Sequence, residues 1–504
     1  MALAIGIDLG TTYSVVAAVR PGGRPDVLWN REGDHLTPSV VLFQGVDDVL
    51  IGKTAKNAAK DLPADCVEFV KRQMGNPDWV FADSHGGAHG AEEISALILK
   101  RLVEDASETL GTEIRDVVIT VPAYFDDARR RATKDAGEIA GLRVLRLINE
   151  PTAAGIAFGT DAAESGTLFV YDLGGGTFDV TVMRLGKGEL EVVATAGDRN
   201  LGGFDFDNRL MEHVAREVAD QGGPSLQDGG SLEAELREKC EHAKHTLTRS
   251  TRTRIFFSDS GGNYTVEVGR EQFETLTKDL LDRTADTVAE VLEESNTTWS
   301  DIDRILLVGG STKMPMVREM LERLSGKAPD STVNPDEVVA LGAAIVADME
   351  LTKRRRPDAE LPHKVRDVTS QSLGVIAVED DLITEVNSII IPKNAKIPCK
   401  EFQIYRTIAH HQRQFKLQVT EGDDDDVRYV TKLLEHPIEL PGGLPKESPL
   451  KIIMSYDIDG VVHVEIIDAV SGQSLGEVEL DRPANLDDAE VAGLSTTVGK
   501  ARVQ

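Results

Sequence analysis

Two stretches of sequence, AIGIDLGTTYSVVAAV (residues 4–19) and LFVYDLGGGTFDVTVMRL (residues 168–185), decide the fold. Each contains an apolar run, an aspartate followed by a glycine turn, and a second apolar run, which predicts a β-hairpin. An amphipathic helix, a buried strand, a turn and another helix recur in each half, with the helices predicted at residues 94–110 and 126–140 and at residues 273–292 and 316–324. The first 350 residues therefore predict an α/β region of two similar lobes that face each other across a cleft.

The chain changes in character after this α/β region. Residues 351–366 are charged and contain Pro357 and Pro362, which predicts a solvated linker. From residue 367 to residue 482, short alternating segments separated by glycine, proline and aspartate predict an all-β domain. Residues 483–504 are too few and too weakly amphipathic for another domain, so we expect a short tail.

Composition limits the classes of partner and compartment. The 504 residues include 55 Lys and Arg against 85 Asp and Glu, a formal net charge of −30, which argues against nucleic acid and anionic membranes as partners. The three cysteines are too far apart for a disulfide framework or a clustered thiolate site. The N-terminus lacks a basic signal region, and no run approaches the length of a membrane span, so we expect a cytoplasmic protein.

The two predicted hairpin turns carry the chemistry. Successive glycines leave backbone N–H groups free to surround an anion, and Thr11, Thr12 and Thr177 add hydroxyl donors. Asp8 and Asp172 would repel a phosphate unless a cation such as Mg²⁺ lay between them. Either turn alone is more often a plain glycine turn, but two turns in matching strand contexts favour phosphate binding. The sequence contains no GxxxxGK[ST] string, which excludes a P-loop.

A third glycine turn and one helix extend this candidate site. Residues 309–311 (GGS) follow an apolar strand and precede a helix, whose N-terminus is positive. In the helix of residues 231–248, the apolar positions face the core, and the opposite stripe consists of Glu241, Lys244, His245 and Thr248. This stripe is either a solvated face with a Glu–Lys pair or the wall of a nucleoside site.

Eight stretches of the α/β region resemble the signatures of DnaK-type 70-kDa heat-shock chaperones. They are IGIDLGTTYS, KRQMG, ITVPAYFDDARRRATKDAGEIAGL, LINEPTAAGIAFG, VYDLGGGTFDVTV, AGDRNLGGFDFDNRL, LLVGGSTKMP and NPDEVVALGAA. The resemblance continues through DVTSQSLGV, VNSIIIPKNAKIP and MSYDIDGVVHVEI. It implies a two-lobed ATPase domain of the actin and hexokinase type at residues 1–350, and a β-sandwich at residues 367–482 that binds extended hydrophobic peptide. The family's helical lid has no counterpart in residues 483–504, so we expect fast client release.

The resemblance also implies a site for ATP or ADP with Mg²⁺. Asp8 and Asp172 match the carboxylates that hold magnesium through water. The positions that match catalytic residues are Lys71, Glu150, Thr177 and Asp179. Lys71 would orient the attacking water, because phosphoryl transfer needs mainly charge neutralisation and an in-line nucleophile. The positions that match nucleotide contacts are Gly10, Thr11, Thr12, Tyr13, Gly174, Gly175, Gly176, Gly202, Gly203, Glu241, Lys244, Thr248, Gly309, Gly310, Ser311, Lys313 and Asp336.

Two substitutions at this site bear on nucleotide affinity. Lys313 stands where the family usually has an arginine that stacks on adenine, and His245 replaces another basic residue. A lysine lacks the planar guanidinium that stacks well on a base. We therefore expect nucleotide affinity below that typical of the family.

The family relays nucleotide state to its β-domain, and the linker is where this chain departs from it. The positions that match the relay are Pro122, Arg130, Arg146 and Asp367. The family's linker is leucine-rich, whereas HKVRDVTS (residues 363–370) places Lys364 and Arg366 at those apolar positions. Docking a charged linker costs more desolvation, so we expect weaker coupling between the domains.

The peptide-binding positions also depart from the family. By alignment they are Asn387, Ile408, Phe415 and Leu417. Asn387 brings a polar amide to an apolar arch, and Phe415 either fills the pocket or packs as a core aromatic. The implied partners are unfolded or extended hydrophobic segments, with a J-domain cochaperone and a nucleotide exchange factor as further candidates.

Two other functions stay open at this point. A small-molecule kinase on the same fold would need a carboxylate base beside an acceptor hydroxyl, and would leave the β-domain unexplained. A nucleotide-binding interaction protein of the same family, with little client binding, is the other. The intact catalytic positions argue against the loss of hydrolysis.

Overall fold

The chain is a mixed α/β protein with several sheets, as the sequence predicts. The computed structural model describes residues 3–20, 23–45, 47–161, 165–186, 188–227, 229–259, 261–359, 364–379, 381, 383–458, 460–479 and 485–504. These residues form two lobes, a β-sandwich, and a C-terminal helix and strand. Within the described part of the chain, no helix is long and apolar enough to cross a bilayer.

The first lobe (residues 3–161) begins with the predicted hairpin. Its elements are β1 (Ala4–Asp8), β2 (Tyr13–Val19), β3 (Pro25–Val27), β4 (Leu36–Pro38), β5 (Val41–Phe43), β6 (Asp48–Ile51), α1 (Lys53–Ala58), β7 (Cys66–Val67), a 3-10 helix (Val70–Gln73), β8 (Phe81–Ala82), β9 (Ala88–His89), α2 (Ala91–Leu110), β10 (Asp116–Val121), α3 (Asp127–Ile139), β11 (Arg143–Asn149) and α4 (Glu150–Asp161). The main sheet has the order β11-β10-β1-β2-β3, with β4 also on β2. Asp8 pairs with Val15 at the turn end of the β1–β2 hairpin, so its carboxylate lies beside the turn.

The second lobe (residues 165–355) repeats this plan. Its elements are β12 (Gly166–Leu173), β13 (Phe178–Gly186), β14 (Glu189–Asp198), α5 (Gly203–Asp220), α6 (Ser231–Arg249), β15 (Arg252–Asp259), β16 (Gly262–Gly269), α7 (Arg270–Leu276), α8 (Lys278–Glu294), β17 (Arg304–Val308), a 3-10 helix (Gly310–Lys313), α9 (Pro315–Ser325) and α10 (Val338–Arg355). β12 and β13 form the second predicted hairpin. The predicted continuous helix at residues 273–292 is wrong, because the chain breaks at Thr277 between α7 and α8.

Helices α4 and α10 pack between the sheets of the two lobes. They share one apolar core with strands of both sheets, including Val118 of β10 and Val170 of β12. The two helices meet at Gly342, where a Cβ would lie 1.8 Å from the Ala153 carbonyl oxygen. A glycine is therefore required at this crossing, and the two lobes are joined at the base of the cleft.

The β-sandwich follows the second lobe. The elements from here to the C-terminus are β18 (Lys364–Val368), β19 (Leu373–Val378), β20 (Glu385–Ile391), β21 (Lys396–Ile397), β22 (Cys399–Arg406), β23 (Gln412–Glu421), β24 (Thr431–Leu444), β25 (Pro449–Tyr456), β26 (Val462–Asp468), β27 (Ser474–Glu479), α11 (Asp488–Lys500) and β28 (Arg502–Val503). Two four-stranded sheets, β20-β19-β23-β24 and β22-β25-β26-β27, enclose an apolar core that includes Leu417, Val419 and Met454.

The segments predicted as linker and tail both lie against the lobes. α10 continues to Arg355, and residues 360–363 of the predicted linker fall outside the described residues. β18 then joins the second lobe's sheet, whose order is β17-β12-β13-β14-β18-β21. In the predicted tail, α11 packs on α2 and α3, and β28 pairs with β6. Charge and low amphipathicity did not indicate these contacts, because their partner strands lie far away in the sequence.

The crossing of α4 and α10 gives a stability prediction. We expect Gly342→Ala to lower the free energy of unfolding by at least about 3 kcal/mol, because the new methyl group overlaps a backbone carbonyl. The matched control is Gly493→Ala in α11, where a Cβ meets no atom within 4 Å and higher helix propensity gives about 0.5–1 kcal/mol of stabilisation. Urea unfolding followed by circular dichroism measures both. Equal effects of the two substitutions would contradict the close crossing.

Candidate functional site

The tips of the two hairpins touch each other across the cleft between the lobes. The first tip carries Gly10, Thr11, Thr12 and Tyr13, and the second carries Gly174, Gly175, Gly176 and Thr177. A Cβ at Gly175 would lie 2.1 Å from Thr12 Oγ1, and a Cβ at Gly176 would lie 2.8 Å from Thr11 Cγ2. Glycine therefore lets the two tips approach within contact, and the sequence prediction that they face one cleft agrees with this geometry.

Three aspartates lie beside these tips, of which Asp172 and Asp179 are buried and Asp8 is partly buried. Asp8 accepts a hydrogen bond from Thr120 Oγ1 at 3.0 Å, and Asp179 accepts one from the Tyr124 amide at 3.0 Å. Asp172 lies directly opposite Asp179 in the β12–β13 hairpin. Burial, followed by the charge of Glu150, raises the pKa of Asp8 and of Asp179 to about 7.

The same causes raise the pKa of Asp172 well above its usual range, and there the charges of Asp179 and Asp8 add to burial and Glu150. The three carboxylates therefore repel one another in a site with little water. Burying like charges together is unfavourable unless a cation joins them. The site is built to attract positive charge.

Lys71 supplies positive charge in the same cleft. Its Nζ lies 2.5 Å from Glu150 Oε1, and both side chains are at most 10% exposed. The Lys71 charge lowers the pKa of Asp8, Asp172 and Asp179, so it acts on all three carboxylates. The structure thus brings together the predicted metal-holding and catalytic residues of both lobes.

The 3-10 helix that carries Lys71 is tied to the second lobe by residues that the sequence analysis missed. Phe69, just before this helix, has φ of 59°, and its ring contacts the Phe204 ring at a centroid distance of 4.8 Å. Arg72 Nη1 lies 3.1 Å from Asp205 Oδ2. Arg72 lies in the quoted KRQMG stretch, and Phe204 and Asp205 lie in AGDRNLGGFDFDNRL, but nothing in either stretch shows that the two meet.

The third glycine turn lies directly against the second hairpin tip. Ser311 Oγ donates to the Gly174 carbonyl at 2.8 Å, and the Gly203 amide donates to the same carbonyl at 3.0 Å. Gly309 has φ of 82°, and a Cβ there would lie 2.4 Å from the Leu173 carbonyl oxygen. Gly202, Gly203, Gly309, Gly310 and Ser311 therefore surround this tip from the second lobe.

Most of the polar stripe of α6 faces the protein, although His245 is exposed to solvent. Lys244 Nζ is buried and lies 2.7 Å from Asp207 Oδ2 and 3.0 Å from the Gly203 carbonyl. Glu241 pairs with Lys56 of the first lobe at 2.7 Å. Glu241 and Lys244 therefore pair with other elements and not with each other, as a solvated helix face would require. Lys56 is a site residue that the sequence analysis missed.

The remaining predicted nucleotide contacts lie around this stripe. Thr248 Oγ1 donates back to the Lys244 carbonyl at 3.3 Å. Lys313 forms an ion pair with Asp336. Burial raises the pKa of Asp8 and of Tyr13, and the charge of Asp336 adds a smaller contribution to each.

Comparison with known proteins decides the family. The model of the Hsp70 protein family matches residues 4–503. Proteins named chaperone protein DnaK from Thermotoga petrophila, Thermotoga maritima and Thermotoga neapolitana are each 40% identical over 491 residues, covering 95% of this chain and 80% of the relative. The chain belongs to the Hsp70 family. It is therefore an ATP-dependent molecular chaperone with ATPase activity, which confirms the resemblance found in the sequence.

The positions matching the Hsp70 relay form a partly connected path. Arg130 Nη2 donates to Asn149 Oδ1 at 2.7 Å, and Asn149 Nδ2 donates to Asp367 Oδ2 at 2.9 Å. Pro122 accepts from the Phe125 amide at 3.2 Å, in the loop whose Phe125 carbonyl accepts from Arg130 Nε at 3.1 Å. Arg146 is not part of this path.

Arg146 instead approaches Glu350 of α10 at 3.5 Å. Asn149, which the sequence analysis did not single out, is the central residue of the path from Arg130 to Asp367. It also precedes Glu150, the partner of Lys71. One backbone step therefore separates the path to the linker from the Lys71–Glu150 ion pair.

The charged linker of this Hsp70 is docked on the second lobe. β18 pairs in parallel with β14, with Lys364 opposite Glu189 and Arg366 opposite Glu191. Arg366 Nε lies 2.9 Å from Glu189 Oε1, and Lys396 of β21 forms an ion pair with Glu191. The sequence argument considered only the cost of desolvating the linker's cations. Acidic residues on β14 offset that cost.

The four positions aligned with the Hsp70 peptide pocket are not brought together. Leu417 lies in the sandwich core, and Phe415 packs against that core, as its alternative interpretation as a core aromatic requires. Ile408 is 47% exposed between β22 and β23. Asn387 is buried on the opposite face of its sheet, where it donates to the Asp424 carbonyl at 2.9 Å and accepts from Thr420. Its amide is therefore satisfied and does not enter an apolar arch.

The buried Asp179 gives a pH prediction. Its pKa rises from 3.8 to about 7 on folding, so its ionisation costs stability as pH rises from about 4 to above 7. We expect Asp179→Asn, which keeps an acceptor for the Tyr124 amide, to raise the Tm of nucleotide-free protein at pH 8 by at least about 3 °C and to change it little at pH 4. Calorimetry measures both, with the exposed Asp78→Asn as control. A pH-independent effect would contradict the raised pKa.

The linker contact gives a second prediction. We expect Arg366→Glu to place like charges against Glu189 and Glu191, and to raise amide hydrogen exchange in β18 about fivefold. Adding Glu189→Arg restores an opposite-charge pair and should reverse most of the change. Lys353→Glu, at an exposed position of α10, is the control. If Arg366→Glu alone exchanges as slowly as the wild type, charge does not contribute to linker docking.

Proposed function

We propose that this Hsp70 binds Mg²⁺-ATP between the two hairpin tips. The carboxylate oxygens of Asp8 and Asp172 are the hard ligands that Mg²⁺ prefers, and their raised pKa values show a site short of positive charge. Magnesium held through water fits this pair, since the described residues contain no cluster of three or more His, Cys, Asp or Glu side chains able to hold a metal directly. Bound there, the ion would neutralise phosphate charge.

The glycines of the two tips support phosphate binding. Gly175 and Gly176 leave space that a Cβ would fill, beside the hydroxyls of Thr11 and Thr12. Backbone N–H groups and hydroxyls together form the neutral part of an anion site. On this proposal, Gly10, Gly174 and Thr177 complete the phosphate cradle, and the fold is that of the actin and hexokinase-like ATPases.

Hydrolysis on this proposal uses Lys71, Glu150 and Asp179. Glu150 fixes the Lys71 ammonium at 2.5 Å, so that it can hold a water by hydrogen bonding. The water oxygen attacks the γ-phosphorus, the bond from that phosphorus to the β–γ bridging oxygen breaks, and ADP and phosphate form. Asp179, with a pKa of about 7, accepts the proton that the water loses.

The nucleoside lies on this proposal between α6 and the third glycine turn. Lys244 and Ser311 are held against the second tip by their bonds to Gly203 and Gly174. The Lys56–Glu241 pair joins the lobes beside Tyr13, whose ring lies 5.1 Å from Lys56 Nζ. Desolvation and the charge of Lys244 lower the pKa of His245, which favours its neutral form although its side chain is exposed, and this supports the expected lower nucleotide affinity.

Nucleotide state is coupled on this proposal through Asn149 to the docked linker and the β-sandwich. The sandwich binds extended hydrophobic segments of unfolded polypeptides. The protein acts in the cytoplasm, with a J-domain cochaperone and a nucleotide exchange factor as its partners. Coupling is weak because the charged side chains of the linker make exposed contacts, with Arg366 and Glu189 about half exposed, although Asp367 keeps its buried hydrogen bond to Asn149. The single observation that carries the ATPase mechanism is the buried Lys71–Glu150 pair among three aspartates.

Removing Lys71 tests this mechanism. We expect Lys71→Ala to reduce the rate of ATP hydrolysis at least about 100-fold, because the water loses its orienting group. The affinity for ADP should change little, and hydrophobic peptide should raise the wild-type rate only about twofold. Released phosphate measures hydrolysis and calorimetry measures ADP binding.

Lys278→Ala is the control for charge removal, since Lys278 is 70% exposed and pairs with Asp282 of the same helix, away from the cleft. It should hydrolyse ATP at the wild-type rate. Wild-type hydrolysis by Lys71→Ala would refute the assigned role. Strong stimulation of the wild type by peptide would refute weak coupling.

A further inference from the structure

The C-terminal segment, residues 487–504, is bound to the first lobe. α11 packs on α2 and α3, and Val498, Ala501 and Val503 are buried in the same apolar core as Val49 and Ile51. Val498 is 1% exposed and Val503 is 6% exposed. The first lobe therefore contains an apolar surface that this segment of the chain covers.

Backbone hydrogen bonds extend the contact into a sheet. β28 lies parallel to β6 at the edge of the sheet β28-β6-β5-β7. The Arg502 amide donates to the Asp47 carbonyl at 2.7 Å, and the Gln504 amide donates to the Val49 carbonyl at 2.9 Å. The Ile51 amide donates to the Gln504 carbonyl at 3.0 Å. Strand addition satisfies an edge that would otherwise expose unpaired backbone groups.

Polar side chains fix both ends of α11. Lys100 Nζ of the first lobe donates to the carbonyls of Val498 at 2.9 Å and Ala501 at 2.7 Å, which places a cation at the negative end of the helix. At the other end, Asp487 and Glu490 form a capping box. The position of α11 is thus set by charge as well as by burial.

The β-sandwich is consequently attached to both lobes. The chain enters the sandwich through β18, which is bonded to β14 of the second lobe, and leaves it toward β28, which is bonded to β6 of the first lobe. The sandwich also contacts each lobe directly. The Val462 amide donates to Asp127 of the first lobe at 3.1 Å, and Lys393 pairs with Glu294 of the second at 2.7 Å.

We propose that residues 487–504 form a clasp that binds the first lobe in cis and, with the linker on the second lobe, holds the two lobes closed around the nucleotide. Opening of the cleft moves the lobes apart, so it must release either β28 or β18. Each attachment raises the effective concentration of the other, because both join one chain. The clasp therefore slows nucleotide release and compensates for the weak linker contact. This inference rests on the proposed nucleotide site.

Substitutions on both sides of the contact test the clasp in the full chain. Val503→Asp buries a charge in the apolar core, and Lys100→Ala removes the cation at the end of α11 without changing the clasp itself. Ala492→Asp, at an exposed position of α11, is the matched control. Amide hydrogen exchange of β6 in nucleotide-free protein reports the contact, and chase of a fluorescent ADP analogue reports its release.

We expect β6 to exchange at least about tenfold faster in Val503→Asp and Lys100→Ala, and the ADP analogue to leave about fivefold faster, with Ala492→Asp unchanged. Unchanged exchange in β6 would overturn the contact. Faster exchange with unchanged release would overturn the coupling. If the mass of the wild type doubles as its concentration rises, and if dilution removes the protection of β6 from exchange, the segment binds the first lobe of a second copy. That result would overturn a clasp in cis.

The two readouts also separate this inference from the proposed function. Failure of the wild type to bind the ADP analogue would refute the nucleotide site. In that case exchange in β6 still decides whether the clasp contact exists.

Discussion

The structure depends on the close contact between two glycine hairpin tips, which buries carboxylates of both lobes around one lysine. Asp8, Asp172 and Asp179 are each forced toward protonation by burial and by Glu150, and Lys71 only partly offsets this. A cleft with such an excess of negative charge is destabilised when the lobes close without a cation. On the proposed function, closure of the lobes and binding of a metal-bound phosphate are one event, and the energy of that event is available to move other parts of the chain.

That energy reaches the linker by a short route. Glu150 is the first residue of α4 and holds Lys71, whereas Asn149 is the last residue of β11 and holds both Arg130 and Asp367. A shift of the junction between β11 and α4 changes both contacts, because adjacent residues cannot move independently. On the proposed function, the coupling thus requires no long chain of intermediates, and its far end is held by the buried Asn149–Asp367 hydrogen bond and by exposed ion pairs between β18 and β14.

Local sequence patterns predicted the parts of the molecule that local physics determines. The two hairpins, the glycine tips and the cleft aspartates follow from apolar runs around a turn, and the structure contains them. The linker could not be predicted in this way, because the partners of Lys364 and Arg366 are Glu189 and Glu191, about 175 residues earlier in the chain. The position of Asn387 could not be predicted for another reason. Its placement in the peptide pocket came from an alignment, and a shift of one residue in strand register moves a side chain to the other face of the sheet.

The C-terminal segment shows why weak local signals mislead most at the ends of a chain. α11 has a modest apolar face and several exposed glycines and threonines, so by itself it predicts a marginal helix. Its stability comes instead from an unpaired edge and an apolar surface on the first lobe, both about 450 residues away in sequence. A helix that is stable only when bound can also be released, and this makes it suited to hold a cleft that must open in every nucleotide cycle. The docked linker combines a buried hydrogen bond from Asn149 to Asp367 with exposed ion pairs, which contribute little stability. The two attachments of the β-sandwich can each be released, and their joint effect depends on the chain that connects them.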